Sequence, residues 1–332
     1  KHVEEYINNN INNVELDDVM YSKEFSDFGD VTYTEKTRAV IKIQDGCDRF
    51  CSYCIIPYAR GRVRSRKPES IISEITQIAS KGIKEVVITG IHIASYGKDF
   101  AMSKNSKLAN YRLIDLLEEI NEIQGIQRIR LGSIEPLLIT EEFVERLKKL
   151  EKICHHFHLS LQSGCDETLK RMNRRYTTEQ FKEIVRLLRN AYEDVNLTTD
   201  IIVGFPGETD EEFNKTYQFL KEIKFYKMHV FKYSPRKGTK AAVMPNQISG
   251  DIKEKRSREL IELSNENELE YNQKYTGNEV EVLFEEEKEK IYKGHTQNYI
   301  LVYCQTDKKI DNKIEKVICK KAEQDHILGE VL

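Results

Sequence analysis

Ile43-Gln44-Asp45-Gly46-Cys47-Asp48-Arg49-Phe50-Cys51-Ser52-Tyr53-Cys54 gathers three cysteines into one short stretch. The β-branched run at 39–43 just before it has the character of a strand, so the three thiols fall in the loop that leaves it. Three thiolates in such a loop ligate three irons of a cubane iron–sulfur cluster and leave the fourth iron open for a substrate. Zinc is the ordinary alternative, but a structural zinc takes four ligands in tetrahedral array, and the neighbouring sequence offers no fourth. Cys154, Cys165, Cys304 and Cys319 are dispersed without metal-ligand spacing and read as packed, inert thiols. Ligand count therefore favours the cluster.

Outward from this loop, short β-branched runs alternate with amphipathic stretches, which is the habit of parallel β/α units. Strands are expected at 39–43, 85–89, 128–131, 157–161, 199–203 and 229–233. The helix expected at 68–80 has Pro68 at its first position and Gly82 just past its end. Six such units predict an α/β partial barrel, (β/α)6, with its chemistry at the C-terminal strand ends. Segment 251–275 has neither Pro nor Gly and reads as one long charged helix. Beyond Gly277, short strands at 280–284, 299–303, 314–319 and 327–331 predict a small all-β barrel. The expected organisation is a catalytic domain at 37–250, a connecting helix at 251–274 and the small barrel at 275–332.

The chain's 332 residues suffice for a large and a small domain, and 39% hydrophobic with 32% charged residues is a globular composition. No apolar run reaches the roughly 18 residues that span a bilayer, and Lys1-His2-Val3-Glu4-Glu5 lacks a signal-peptide pattern. A cytoplasmic location and no membrane partner are expected. Thiols stay reduced in that compartment, so the seven cysteines are not a disulfide framework. Net charge is −3, so any contact with nucleic acid must come from a local patch. Arg60, Arg62, Arg64, Arg66 and Lys67 form one such patch just after the cysteine loop; it is either a solvated face or a set of phosphate contacts. Tyr292, Tyr299 and Tyr303 either stack bases or fill the small barrel.

The stretch from Ile43 to Arg66 resembles the radical S-adenosylmethionine (SAM) loop of the methylthiotransferases. Gln44-Asp45-Gly46 and Asp48-Arg49-Phe50 resemble the subgroup acting on threonylcarbamoyladenosine in tRNA. The likeness continues through Thr89-Gly90-Ile91-His92, Ser133-Ile134-Glu135-Pro136, Leu159-Ser160-Leu161-Gln162, Met172-Asn173-Arg174 and Gly204-Phe205-Pro206-Gly207, and it ends in what looks like a TRAM RNA-binding barrel. The resemblance implies one [4Fe–4S] cluster on Cys47, Cys51 and Cys54. It also implies SAM held by Tyr53, Thr89, Gly90, Ser133, Glu135, Gln162, Arg174, Gly204 and Pro206, with Arg174 as the clamp for the SAM carboxylate. Thr89-Gly90-Ile91 departs from the Gly-Gly-Glu common in radical SAM enzymes, which leaves the anchor of the SAM amino group unassigned.

The implied reaction is reductive cleavage of SAM to a 5′-deoxyadenosyl radical and replacement of the adenine C2 hydrogen by a methylthio group at position 37 of tRNA. Implied partners are tRNA, an electron donor such as flavodoxin or ferredoxin, and a sulfur donor, with no DNA. Arg60, Arg62, Arg64, Arg66, Lys67 and Tyr299 are the RNA-binding candidates. A second [4Fe–4S] cluster belongs, by the same resemblance, to an N-terminal domain whose remnant and linker would be residues 1–36. The nearest alternatives modify isopentenyladenosine in tRNA or an aspartate of a ribosomal protein. A zinc-stabilised RNA-binding protein without catalysis is the alternative of another class.

Overall fold

The structure, a computed structural model, describes residues 19–22, 24–26, 37–102 and 107–332. The expectation for residues 1–36 lies for the most part outside these. Six parallel strands carry the larger part: β1 (Arg38–Asp45), β3 (Glu85–Gly90), β4 (Arg128–Leu131), β5 (His156–Gln162), β6 (Asn196–Val203) and β7 (Lys227–Lys232). β1, β3 and β4 form one parallel set and β5, β6 and β7 another. Bridges Ile129↔Ile153 and Ile134↔Leu159 join the two into one curved layer. A two-residue strand, β2 (Arg64–Ser65), returns antiparallel against the end of β1. This is the expected (β/α)6 partial barrel.

Alternation along β1 and β5 sorts their side chains between the two faces of the layer. Ala39, Ile41 and Ile43 of β1 and Phe157, Leu159 and Leu161 of β5 are fully buried beneath the helices, while the residues between them face the concave side. The helices start where the local chemistry permits. Thr177 with Gln180, and Thr209 with Glu212, form reciprocal capping boxes at the heads of Thr178–Ala191 and Asp210–Ile223. The long helix Gly250–Gln273 lies along the free edge of β7, where Ser264 Oγ accepts from Met228 N at 2.9 Å and Lys227 pairs with Glu268 at 2.8 Å. An edge that would otherwise invite pairing is covered.

The C-terminal unit is a closed five-stranded barrel of β8 (Glu279–Lys288), β9 (Ile291–Thr296), β10 (Leu301–Gln305), β11 (Ile314–Ala322) and β12 (Ile327–Val331), in the order β10-β12-β11-β8-β9. One strand more is present than expected. β8 runs on through the Glu285–Lys288 charges and turns at Glu289 and Lys290, both at positive φ, into β9. Gly294 makes the pairing possible, since a Cβ there would overlap the Leu283 carbonyl.

The small barrel docks against the N-terminal ends of the parallel strands. Arg130 is buried on Glu85 at 2.7 Å and donates to Gln297 O at 3.2 Å; Arg128 donates to His295 O at 2.9 Å, and Arg38 pairs with Glu285 at 2.6 Å. β1 has eight residues, so the small barrel and the cysteine loop sit at opposite ends of the layer, about 23 Å apart at roughly 3.3 Å per residue.

Candidate active site

Where β1 ends, the chain reverses through Gly46 at φ +71°, and a side chain there would overlap the Arg62 carbonyl. The loop closes on itself as Cys47 N donates to Gly61 O at 3.0 Å, with the short helix Ile56–Arg60 inside it. Gln44, wholly buried, donates its amide to Asp45 O at 2.6 Å and Gly46 O at 2.7 Å, and its Oε1 accepts from His92 N at 2.7 Å. The loop is thereby tied to the segment leaving β3. Burial alone would raise the Asp45 carboxyl, but hydrogen bonds from Arg60, Lys42 and Gly46 N outweigh it and hold it at about 2.

All three thiols are free, Cys47 buried and Cys51 and Cys54 half-buried. Burial pushes the Cys47 thiol up, and the neighbouring Cys51 and Cys54 add to it; burial also raises Cys54. Metal binding must therefore displace protons here. Arg174 Nη1 lies 3.3 Å from Cys51 Sγ, and Arg49 N lies 3.4 Å from Cys47 Sγ, so donors already face the sulfurs. Among the described residues no three His, Cys, Asp or Glu side chains converge as ligands of a single ion. Three thiols on one loop, each free to take a separate iron, are the donor set of a cubane with an open corner.

The structure brings most of the expected SAM residues to this end. Arg174, following Asn173 at positive φ, is held by Tyr176 OH at 3.0 Å and Ser160 O at 3.0 Å with its guanidinium on Cys51. Glu135 is buried and ion-paired with Arg49, and Ser133 beside it is exposed. Gln162 ends β5 at φ +71°, and its amide has no partner among the described residues. Thr89 and Gly90 end β3 half-exposed, Gly90 against Gln44. Tyr53 packs edge-on to Phe205 at 6.4 Å, which draws the Gly204–Pro206 turn to the loop, and Pro206 O accepts from Arg171 at 3.2 Å. In the direction a Cβ would take, Gly204 meets the Lys253 stem of the long helix.

Arg49 and His92 were not anticipated as site residues. His92 Nδ1 meets Ser95 Oγ at 2.8 Å, its Nε2 is buried without a partner, and burial with Arg49, Lys98 and Arg174 nearby lowers it to about 3. It is a neutral imidazole in a ring of cations. Spacing carried no signal for either, since Arg49 reaches Glu135 across 86 positions.

Residues 41–220 match the Radical SAM superfamily model. The chain is 41% identical to threonylcarbamoyladenosine tRNA methylthiotransferase MtaB of Bacillus subtilis over 92% of this chain and 68% of that protein. It is 39% identical to the protein of the same name from Aquifex aeolicus, over 90% and 70%. The chain belongs to the radical SAM tRNA methylthiotransferase family. A tRNA-2-methylthio-N(6)-dimethylallyladenosine synthase of Caldicellulosiruptor saccharolyticus is 40% identical over 90% of this chain and 62% of its own length. The chain thus spans about two thirds of these relatives. Membership in the radical SAM methylthiotransferases carries a [4Fe–4S] cluster and SAM, which the three thiols and Arg174 fit.

The basic run divides. Arg60 is tied to Asp45, and Arg62 pairs with Asp48 at 3.3 Å and lies 5.1 Å over the Phe50 ring; both remain largely exposed, as does Lys67 at the head of Pro68–Ser80. Arg64 and Arg66, expected to face RNA, are buried: β2 tucks them in, Arg64 donating to Arg62 O at 3.2 Å and Arg66 ion-paired with Glu74. They hold the return strand. Tyr299 is likewise corrected. It sits in the turn before β10, between the rings of His156 at 4.8 Å and His295 at 4.5 Å, with Arg130 at 4.5 Å from its centroid. Locked between the two domains, it is not a free stacking platform.

Proposed function

We propose that this chain is the radical-generating and RNA-facing part of a methylthiotransferase that converts N6-threonylcarbamoyladenosine at position 37 of tRNA to its 2-methylthio form. The observation that carries the reading is the single strand-end constellation of Cys47, Cys51 and Cys54 with Arg174 on Cys51 and the Arg49–Glu135 pair beside them. Bound there, a [4Fe–4S] cluster and SAM supply, on one-electron reduction, a carbon radical able to abstract a hydrogen atom. The chain's own work is positioning. Arg174 presents N–H donors to an anion next to Cys51. The Arg49–Glu135 pair offers an acceptor fixed in place, and the free Gln162 amide adds a donor and an acceptor.

Sulfur transfer rests, in this proposal, on a second cluster in the full-length protein, with an electron donor and a sulfur donor as further partners. Among the described residues the zinc alternative finds no cluster of His, Cys, Asp and Glu able to hold the ion. A second reading, with dimethylallyladenosine in tRNA as substrate, is favoured by the 40% identity to a synthase of that name. Mass spectrometry of tRNA nucleosides from cells lacking the full-length gene separates the two. Loss of the methylthio-threonylcarbamoyl nucleoside alone supports the proposal, and loss of the methylthio-dimethylallyl nucleoside in its place overturns it. No helix of the described residues is long and apolar enough to cross a membrane; a cytoplasmic setting, where tRNA is found, belongs to the same proposal.

A further inference from the structure

The loop that leaves β3 carries a cation without a counter-charge among the described residues. Its backbone is pinned from both sides. Tyr96, buried, donates its hydroxyl to Arg66 O at 2.9 Å, Gly97 N donates to Ser65 Oγ at 2.8 Å, and Lys98 N donates to Ser95 O at 3.1 Å. Asp99, the adjacent acid, accepts instead from Ser65 N at 2.9 Å and Ser65 Oγ at 2.5 Å. The Lys98 ammonium is accessible and makes no hydrogen bond or ion pair among the described residues. Burial of its stem, with Arg49, Arg112 and Arg175 close by, lowers it from the ordinary lysine value, and Glu135 opposes them. That carboxylate is already ion-paired with Arg49. Arg112 gives its Nη1 to the carbonyls of Gly97, Ala109 and Tyr111, and Arg175 is exposed with no partner among the described residues. His92 adds a buried Nε2 without a partner, with Arg49 and Lys98 among the charges around it.

A cation held partly out of water among other cations gains when an anion arrives, so the arrangement suits one acidic group. Two carboxylates enter in the proposed reaction. Arg174, beside Cys51, matches that of SAM. The other is carried by the threonyl substituent on the adenine. We propose that Lys98, with Arg175 at the rim and His92 Nε2 as a hydrogen-bonding partner, receives this second carboxylate and so selects the acid-bearing base. The inference deepens the assignment of threonylcarbamoyladenosine and rests on it. A dimethylallyl substituent in the same place would desolvate the ammonium further and give it no counter-charge, so the contact selects by penalty as well as by attraction. A phosphate of the tRNA backbone is the competing anion. The buried His92 Nε2 favours the base, because a substituent is carried inward with the adenine, whereas backbone phosphates stay at the rim.

The test is binding of an anticodon stem-loop RNA by the cluster-loaded chain with SAM and without reductant. Position 37 carries threonylcarbamoyladenosine, its carboxamide analogue, dimethylallyladenosine or plain adenosine. The unaltered chain should bind the threonylcarbamoyl RNA about tenfold or more tightly than the plain one, the range of a charge-assisted hydrogen bond. Lys98→Gln should remove most of that preference and Arg175→Gln part of it, with the loss confined to the threonylcarbamoyl RNA, and the carboxamide analogue should reproduce the Lys98→Gln result on the unaltered chain. If Lys98→Gln fails to load iron, the analogue carries the test by itself. A preference that survives both Lys98→Gln and the carboxamide would overturn this inference and leave the substrate assignment standing. Equal weakening for every RNA would assign Lys98 to a backbone phosphate, and weakened SAM binding would assign it to SAM; either overturns the inference. A preference of the unaltered chain for the dimethylallyl RNA would overturn the substrate assignment itself.

Discussion

Replacing Gly46 by Ala should loosen the cysteine loop without unfolding the protein. A non-glycine residue at φ +71° costs about 1–2 kcal/mol. The new Cβ also overlaps Arg62 O, and restoring ordinary contact distance requires a shift of more than about 1 Å. That shift breaks Cys47 N to Gly61 O at 3.0 Å and Arg64 Nη1 to Arg62 O at 3.2 Å, each worth about 1 kcal/mol. The sum, about 3–4 kcal/mol, is smaller than a typical global stability and is localised, so it appears as loop opening. At about 1.4 kcal/mol per factor of ten, affinity for the iron cluster falls by roughly two to three orders of magnitude. Gly82→Ala is the internal control: φ is +85°, yet nothing lies within 4 Å of its Cβ position, so only the backbone cost applies. The assay is iron retained after a graded chelator challenge of the reconstituted variants. Equal retention by Gly46→Ala and Gly82→Ala would refute the clash argument.

Glu85→Gln leaves Arg130 buried without its counter-charge at the base of the small barrel, and urea unfolding should show a loss of about 3 kcal/mol or more; a change below about 1 kcal/mol would mean that the network does not hold the two domains together. Burial, with Arg130 and His158 close by, lowers His156 well below the usual histidine value. The unfolded chain therefore binds a proton that the folded one refuses, and stability present above about pH 6.5 is lost as pH falls, at about 1.4 kcal/mol per unit. Urea midpoints at several pH values should show at least that slope, and His156→Gln should lower it by about 1.4 kcal/mol per unit while the share of His92, lowered in the same way, remains. Arg62→Ala should lower the salt slope of tRNA binding by about one unit or less and leave stability nearly unchanged, whereas Arg66→Ala should cost stability and leave the slope alone; filter binding and urea unfolding together distinguish them.

The parallel strands were legible because each carries a β-branched run with a turn after it, and 39–43, 85–89 and 199–203 fall inside β1, β3 and β6. The cysteine loop was legible for the same local reason. What escaped depends on tertiary pairing. β9 begins behind the charge run Glu285–Lys290, which reads as a turn although its first four residues lie in β8, where Glu286, Glu287 and Lys288 pair with Lys293, Tyr292 and Ile291 of the neighbouring β9. Arg64 and Arg66 look identical to Arg60 and Arg62 in a basic run, and only the pairing of β2 with β1 buries them. Arg38, Glu85, Arg128 and Arg130 read as ordinary strand residues, and their joint role as the seat of the small barrel exists only when three strands come together. Tyr299 reads as a strand residue that either stacks bases or fills the small barrel, but it occupies a positive-φ turn clamped by two histidines.

The central claim is that Cys47, Cys51 and Cys54 hold one cubane cluster with an open iron. Anaerobic reconstitution followed by electron paramagnetic resonance of the dithionite-reduced chain, with and without SAM, tests it most directly. About four irons and four sulfides per chain are expected, with a reduced-cluster signal that changes shape when SAM is added and is absent in Cys51→Ala. Stoichiometric zinc with no such signal, or a signal indifferent to both SAM and Cys51→Ala, would contradict the account.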